Sequence, residues 1–166
     1  MDELLNLAKP LASESAKPIY PIPKLIAYVV SHGQSYADNG YAIRTQAIAS
    51  ALNAQGLEAL CFLGPGNSSN IEGVALDFLP EVNLEGVRYI HSRWSEAPQD
   101  DKQRLEQIVD RFLELFQVYR PSAILVASNY VVGLPAWVAA KRLGIPFFYE
   151  VRGFGELSRA AQDPSY

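Results

Sequence analysis

The sequence has little cysteine and no long apolar run. Its 166 residues include one cysteine, Cys61, so an internal disulfide is excluded, and we interpret Cys61 as a small buried side chain of a strand. No apolar stretch reaches the roughly 20 residues of a membrane-spanning helix. The opening residues "MDELLNLAKP" lack the basic start and apolar middle of a secretory signal. These absences predict a cytoplasmic protein.

An excess of positive charge is also missing. The chain carries 18 acidic and 14 basic residues, for a formal net charge of -4. Nucleic-acid-binding domains are normally basic, so nucleic acid is not expected among the partners. The hydrophobic content of 49% is sufficient for one packed core.

Several catalytic and binding motifs are absent. The sequence contains no G-x-G-x-x-G dinucleotide loop and no phosphate loop ending in G-K-[ST], which disfavours NAD binding and ATP hydrolysis. It has no G-x-S-x-G elbow of a serine hydrolase. Histidine occurs twice, as His32 and His91, and no spacing of histidine, cysteine and carboxylates predicts a metal site. We expect His91 to lie at the surface.

Apolar runs alternate with amphipathic segments along most of the chain. Buried strands are predicted at residues 25–31, 57–63, 123–128 and 145–151, and helices at 40–56, 101–119 and 133–144. A hairpin is predicted around 83–86, and a last helix begins after 151. This alternation predicts an α/β fold with a Rossmann-like, doubly wound parallel sheet.

The boundaries and faces of these elements also follow from the pattern. Residues 1–24, with four prolines, are predicted to be a leader with at most one helical turn, and residues 25–166 to be the domain. Asn39 is a predicted N-cap, Pro135 is placed in the first turn of its helix, and Gly144 is the predicted C-terminal cap of that helix. The helix at 40–56 is expected to turn one apolar face towards the sheet, formed by Ile43, Ala47, Ile48, Ala51 and Leu52. The helix at 101–119 is expected to pack on the sheet with a regular apolar stripe, formed by Leu105, Ile108, Val109, Phe112, Leu113 and Phe116.

Polar residues follow three of the predicted strands. In parallel sheets, binding sites lie beyond the carboxyl ends of the strands. Glu150 and Arg152 alternate in direction if the last strand persists, so they need not share a site. Gly40 precedes a helical turn whose N–H groups favour an anion. The three clusters are Ser31, His32, Gly33, Asn39, Gly40 and Tyr41; Ser128, Asn129 and Tyr130; and Glu150, Arg152 and Gly153.

Two segments resemble one enzyme family. "GYAIRTQAIASALNAQGLEALCF" and "SNYVVGLPAWVAAKRLGIPFFYEVRGFGELSRAAQDPSY" are similar to parts of the N-terminal domain of group 1 (family 4) glycosyltransferases of the GT-B fold. The resemblance implies a half-enzyme that is truncated before a donor-binding C-terminal domain. It also implies retaining, metal-independent sugar transfer from a nucleotide-sugar, without a further cofactor.

The resemblance also implies roles for individual residues. His32 and Asn129 are expected to be catalytic, and Gly33, Asn39, Gly40 and Tyr41 to approach the donor diphosphate. The implied acceptor is a carbohydrate or a lipid-linked molecule, and a lipid-linked acceptor would be reached by peripheral contact with the inner membrane face. The resemblance assigns the acceptor site to Arg44, Ser128, Tyr130, Glu150, Arg152 and Gly153.

The sequence departs from the family pattern in two places, and two alternatives stay open. Many relatives have histidine where this chain has Ser128 to Tyr130, and His-Gly where it has Arg152 and Gly153. One alternative is a flavodoxin-like binding module without catalysis. The other is a UDP-sugar epimerase, against which the "YEVRGF" segment favours the transferase.

Overall fold

A mostly parallel sheet with helices on both faces forms the domain. The computed structural model describes residues 2–35, 37–64, 81–92, 97–127 and 129–153. Within these ranges six strands form one sheet in the order β3-β4-β2-β1-β5-β6, and only β3 is antiparallel to its neighbour. The predicted α/β fold is therefore confirmed. The elements are α1 (Asp2–Ala12), β1 (Ile22–Val30), α2 (Gly40–Ala54), β2 (Glu58–Leu63), β3 (Glu81–Leu84), β4 (Val87–Ile90), α3 (Asp101–Tyr119), β5 (Pro121–Ala127), α4 (Tyr130–Leu143) and β6 (Phe147–Glu150).

The central strand β1 supplies side chains to two cores. Successive strand residues point to opposite faces of a sheet. Ala27 and Val29 join the core beneath α1, α3 and α4, whereas Tyr28 and Val30 join the core beneath α2. This burial on both faces explains the continuous apolar run that predicted the strand.

Helix α3 matches its prediction at both ends. Asp100 caps its first turn, and the Asp100 carboxylate accepts a hydrogen bond of 2.7 Å from the Gln103 amide. Arg120, in the left-handed conformation, ends the helix directly before β5. The predicted apolar stripe is buried against the sheet, and it contains Leu105, Ile108, Val109, Phe112, Leu113 and Phe116.

The prediction of at most one helical turn in the first 24 residues is wrong. Residues Asp2–Ala12 form an 11-residue helix where a single turn was expected. This helix packs on α3 and α4, with Ala8 completely buried. Pro10 lies inside the last turn, and packing of the helix onto the core compensates for the hydrogen bond that proline removes. Strand β1 then begins at Ile22, before the predicted boundary.

The predicted apolar face of α2 is wrong in part, because Ile48 and Leu52 pack against the core but Ile43, Ala47 and Ala51 are exposed. The buried residues are Ala42, Thr45, Gln46 and Ala49, whereas Ile43 is 52% exposed. Polar side chains are tolerated here because the sheet supplies partners for them. The Tyr89 hydroxyl donates to the Gln46 side chain, which in turn donates to the carbonyl of Leu84 at 2.9 Å.

The ends of α4 and β6 differ from the prediction. Asn129 caps α4, which begins at Tyr130, so Pro135 lies beyond the first turn. Strand β6 ends at Glu150, one residue before the predicted end. Gly144 ends α4 in the left-handed conformation, as predicted.

The predicted hairpin is present as β3 and β4, and β4 also pairs in parallel with β2. The hairpin is therefore part of the main sheet. Its turn residues Glu85 and Gly86 have φ values of 48° and 82°. The helix predicted after 153 lies outside the described residues. Among the helices that the structure describes, none has the length and apolar character needed to cross a bilayer.

Candidate functional site

The point where the strand order reverses lies between β1 and β5. From β1 the chain moves outward to β2 and β4 in one direction, and later returns to β5 and β6 in the other. The loops after β1 and β5 therefore diverge and leave a crevice at the carboxyl edge, where α2 and α4 begin. This crevice is the candidate site, and its walls carry most of the predicted residues.

The N-cap residue Asn39 satisfies some of the free backbone N–H groups in the first turn of α2. The Asn39 side-chain oxygen accepts hydrogen bonds from the amides of Tyr41 at 3.1 Å and Ala42 at 3.0 Å. A Cβ atom added to Gly40 would meet nothing within 4 Å. An anion can therefore approach the backbone at Gly40, but it would compete with the Asn39 side chain for the next two amides.

Gly33 has a packing role that the sequence did not indicate. It is buried, and a Cβ atom there would lie 2.8 Å from the ring of Tyr89 and 3.2 Å from Leu63. The absence of a side chain at Gly33 lets the loop after β1 cross the sheet closely. Its assignment to the donor stays a prediction.

The first and third predicted clusters meet at Tyr41. The rings of His32 and Tyr41 stack with centroids 6.0 Å apart, and both residues are exposed. The Tyr41 hydroxyl lies 3.6 Å from the position of a Cβ atom on Gly153. His32, Tyr41 and Gly153 therefore form one continuous exposed surface at the edge of the crevice.

Glu150 and Arg152 share one network, which strand alternation did not predict. Because β6 ends at Glu150, the alternation of a strand no longer separates the two side chains. The Arg152 Nε atom lies 3.1 Å from a carboxylate oxygen of Glu150. The Tyr28 hydroxyl donates to the same carboxylate oxygen at 2.9 Å and accepts a hydrogen bond from Arg152.

Arg152 also reaches into α2. Its Nη1 atom donates to the carbonyl of Tyr41 at 3.0 Å and to the hydroxyl of Thr45 at 2.8 Å. The guanidinium lies over the Tyr28 ring, 5.6 Å from its centroid. The side chain is only 2% exposed, so the Arg152 guanidinium faces the protein interior.

Arg44 lies at the open side of this network. Its Nη2 atom is 2.9 Å from the second carboxylate oxygen of Glu150, while 52% of the Arg44 side chain is exposed. One carboxylate thus lies between two guanidinium groups. The local balance is positive, and Arg44 is the member that solvent or a ligand can reach.

Burial raises the pKa of two groups near Arg152, the Tyr28 hydroxyl and the Cys61 thiol. It raises the pKa of the Tyr28 hydroxyl far above that of a free phenol, against the opposing effect of Arg152. Burial also raises the pKa of the Cys61 thiol to about 12. Tyr28 is therefore a neutral hydroxyl that relays a hydrogen bond, and Cys61 is the inert buried side chain predicted from sequence.

Two members of this network were missed by the sequence analysis. Tyr28 lies within an apolar strand, and Thr45 lies on a helix among alanines. The one available signal was the phenolic hydroxyl of Tyr28, because a buried hydroxyl normally has a partner.

The second predicted cluster is only partly described. Ser128 lies outside the described residues. The Asn129 side chain accepts a hydrogen bond of 3.0 Å from the amide of Val131, so it caps α4. Tyr130 is 43% exposed at the mouth of the crevice. The catalytic role of Asn129 stays a prediction.

His91 is buried, which contradicts its predicted place at the surface. It follows β4 and is 7% exposed. Its Nε2 atom lies 3.2 Å from the hydroxyl of Ser35, in the loop after β1. Burial lowers the pKa of His91, so the ring is held in its neutral form.

A polar depression adjoins this loop. Its volume is about 470 Å³, and it is lined by Gln34, Ala37, Asp38, Leu84 and Glu85. Among the described residues, no three histidine, cysteine, aspartate or glutamate side chains are grouped so as to hold a metal ion. Metal independence stays a prediction.

The sequence was compared with protein-family models and with curated proteins. A family model described as a glycosyl transferase 4-like domain matches residues 39–165, which include the Asn39 cap, α4 and Arg152 but neither Tyr28 nor His32. No curated protein matches the chain significantly.

The chain resembles MurG in fold. MurG from Acinetobacter baumannii is 20% identical with a TM-score of 0.55, and the match covers 82% of this chain and 38% of MurG. The chain therefore spans well under half of MurG. Two structures of the C-terminal domain of the PF1911 hydrogenase from Pyrococcus furiosus are 15% and 16% identical, each with a TM-score of 0.48. They cover 82% and 81% of this chain, and 97% and 96% of their own chains.

Proposed function

The chain belongs to the glycosyl transferase 4-like domain family, and from this premise we propose that it is the acceptor-side, N-terminal domain of a nucleotide-sugar-dependent glycosyltransferase. The family match over residues 39–165 is the observation that carries the proposal. It agrees with the resemblance to group 1 (family 4) GT-B-fold glycosyltransferases found in the sequence. A second, donor-binding domain is part of the proposal.

The donor diphosphate is assigned to the mouth of the crevice at Gly40. The open space before Gly40 leaves room for a bulky anion, and the start of α2 favours negative charge there. Tyr41, which is 50% exposed, provides a face for contact beside it. The main chain can then stabilise the charge that develops on the leaving diphosphate without a metal ion.

The acceptor is assigned to the surface between Arg44 and Tyr130. Both side chains are exposed, and they follow strands on opposite sides of the strand reversal. A guanidinium and a tyrosine together suit a carbohydrate or a lipid-linked acceptor that carries hydroxyl or anionic groups. We propose that transfer retains the configuration of the sugar.

The activity test joins this chain to its native downstream sequence. We expect the joined protein to release nucleoside diphosphate from one member of a panel of nucleotide-sugars, with acceptor present and with chelator added. The anomeric configuration of the product, measured by NMR, tests retention. Absence of release from every donor would contradict the transferase and favour a binding module. Full turnover by the 166 residues alone would contradict the half-enzyme.

The assignment of Gly40 has its own test in the joined protein. Gly40→Val fills the open space at the mouth, and we expect the donor KM to rise at least about tenfold, because the side chain occupies the approach of the diphosphate. Stability should change little, since no atom apart from the chain neighbours and the backbone of α2 lies within 4 Å of the new Cβ.

A matched control uses the same branched side chain at the far end of the same helix. Ala54 is exposed, so Ala54→Val should leave both the donor KM and the fold unchanged. Gly33→Ala is the opposite control, because its Cβ would meet the Tyr89 ring at 2.8 Å and lower the unfolding temperature. An unchanged donor KM in Gly40→Val would refute the role assigned to the loop.

A further inference from the structure

The Arg152 side chain is almost fully enclosed. With 2% exposure it has no surface to offer an acceptor. A guanidinium carries five N–H donors in a fixed plane. Two of them go to α2, at the Tyr41 carbonyl and the Thr45 hydroxyl, and another goes to the Tyr28 hydroxyl on β1. The Nε atom faces Glu150 at the end of β6.

These contacts join three separate elements at one point. The first turn of α2 begins at Gly40, and it is also held by the Asn39 cap, by a hydrogen bond of 2.9 Å from the Thr45 hydroxyl to the Tyr41 carbonyl, and by the burial of Ala42. Arg152 bonds the carbonyl of Tyr41, which is the residue directly after Gly40. A shift of Arg152 would therefore move the backbone that is assigned to the donor.

We propose that Arg152 is a positioning residue that holds the first turn of α2 against the ends of β1 and β6 and does not itself bind the acceptor. Glu150 acts with it, because the carboxylate fixes the guanidinium on one side and Arg44 on the other. The kinetic part of this inference rests on the proposed function, whereas the structural part stands without it.

Arginine is required for this role by geometry. The acceptors on Tyr41, Thr45, Tyr28 and Glu150 lie in different directions around one planar group. Lysine concentrates its charge and donors on a single atom and cannot serve all four. Arg152→Lys should therefore keep the charge but release the first turn of α2.

The kinetic experiment compares Arg152→Lys with the native side chain in the protein joined to its downstream sequence. We expect kcat/KM for the donor to fall by about 10²-fold, as for other misplaced catalytic backbones, while the acceptor KM stays within about twofold. A selective rise in the acceptor KM would overturn the proposal, because it would show that Arg152 contacts the acceptor.

A second variant guards against a general folding defect. Thr45→Val removes, at nearly constant shape, the hydroxyl that accepts from Arg152 and donates to the Tyr41 carbonyl, and it should produce a smaller defect of the same donor-side kind. The control is Arg142→Lys, since Arg142 is 15% exposed in an ion pair with Glu14 on the other side of the domain. It should leave both Michaelis constants unchanged.

Hydrogen exchange supplies a readout that needs no activity. The Ile43 amide donates to the Asn39 carbonyl at 2.9 Å in the first turn, and the Gln55 amide donates to the Ala51 carbonyl at 3.2 Å in the last. In Arg152→Lys we expect at least about tenfold faster exchange at Ile43 and no change at Gln55. Arg142→Lys should alter neither amide.

The outcomes separate this inference from the function on which it rests. If no donor is turned over, the proposed function fails, and the exchange at Ile43 still decides the role of Arg152. A lower unfolding temperature with unchanged donor kinetics and unchanged exchange at Ile43 would overturn the proposal, because Arg152 would then only stabilise the fold.

Discussion

Side chains at the carboxyl edge of the sheet differ in what the fold leaves them free to do. Arg44 and Tyr41 are about half exposed and can meet a ligand. Arg152 is enclosed by the network that it forms, and Asn129 caps a helix. We therefore expect substitutions of Arg44 to affect the acceptor KM and substitutions of Arg152 to act through the position of α2.

His91 gives the domain a pH dependence of known sign. Burial lowers its pKa in the folded protein below the ordinary value of 6.5. As pH falls through 6.5, the unfolded chain takes up a proton that the folded protein resists, so the free energy of unfolding decreases. The loss continues down to the lowered pKa of the folded state. Below that value the penalty stays constant.

The measurement is urea denaturation between about pH 8 and about pH 5. His91→Gln removes the titrating ring, so its stability should decline less steeply than that of the native protein over this range. His32→Gln is the matched control, because it makes the same substitution at an exposed position. Equal slopes for the native protein and His91→Gln would contradict the prediction.

The sequence predicted the roles of residues whose partners lie nearby in the chain, and it missed roles that depend on distant partners. The capping roles of Asn39 and Gly144 involve neighbours within a few residues, so local patterns predicted them. Apart from Glu150, the partners of Arg152 named above lie on α2 and β1, more than 100 residues earlier in the chain. No local pattern contains that information.

At the level of elements, the buried face of α3 was predicted correctly and that of α2 was not, and their compositions explain the difference. Helix α3 buries Leu105, Phe112 and other large apolar residues, which leave an unambiguous period. Helix α2 is rich in alanine, so several faces are almost equally apolar. Hydrogen bonds from Tyr89 and Arg152 then select the face that carries Thr45 and Gln46.

The β3–β4 hairpin has a turn that its sequence does not optimise. Glu85 and Gly86 both have positive φ, the combination that favours asparagine followed by glycine. Glu85→Asn should therefore stabilise the domain by about 0.5–1 kcal/mol, measured as the free energy of unfolding in urea.

Two companion substitutions separate conformation from charge. Glu85→Gln removes the charge without favouring positive φ, so its stability should stay near that of the native protein. Gly86→Ala introduces a Cβ at a φ of 82° and should destabilise the domain by about 1–2 kcal/mol. A gain in Glu85→Gln equal to that in Glu85→Asn would show that charge, and not backbone conformation, limits the turn.

At the scale of the whole molecule, the order of the strands determines where chemistry can occur. The apolar runs predicted the helices and the alternation, but β3 and β4 joined the sheet through pairings that no single segment encodes. Family resemblance supplied the expectation of a two-domain enzyme. The convergence of the first and third clusters at Tyr41 required the folded chain, because a shortened β6 brings Arg152 beneath α2.

Substitutions in α1 can test whether residues 2–12 unfold cooperatively with the rest of the domain. Ala8 has 0% exposure and packs in the core that also contains residues of α3 and α4. Ala8→Asp would bury an unpaired carboxylate, so we expect a loss of more than about 3 kcal/mol in the free energy of unfolding. Asn6→Asp adds the same charge at an exposed position of α1 and should be nearly neutral. Equal unfolding midpoints for the two variants would mean that α1 detaches without cost, and the core beneath α3 and α4 would then be complete without it.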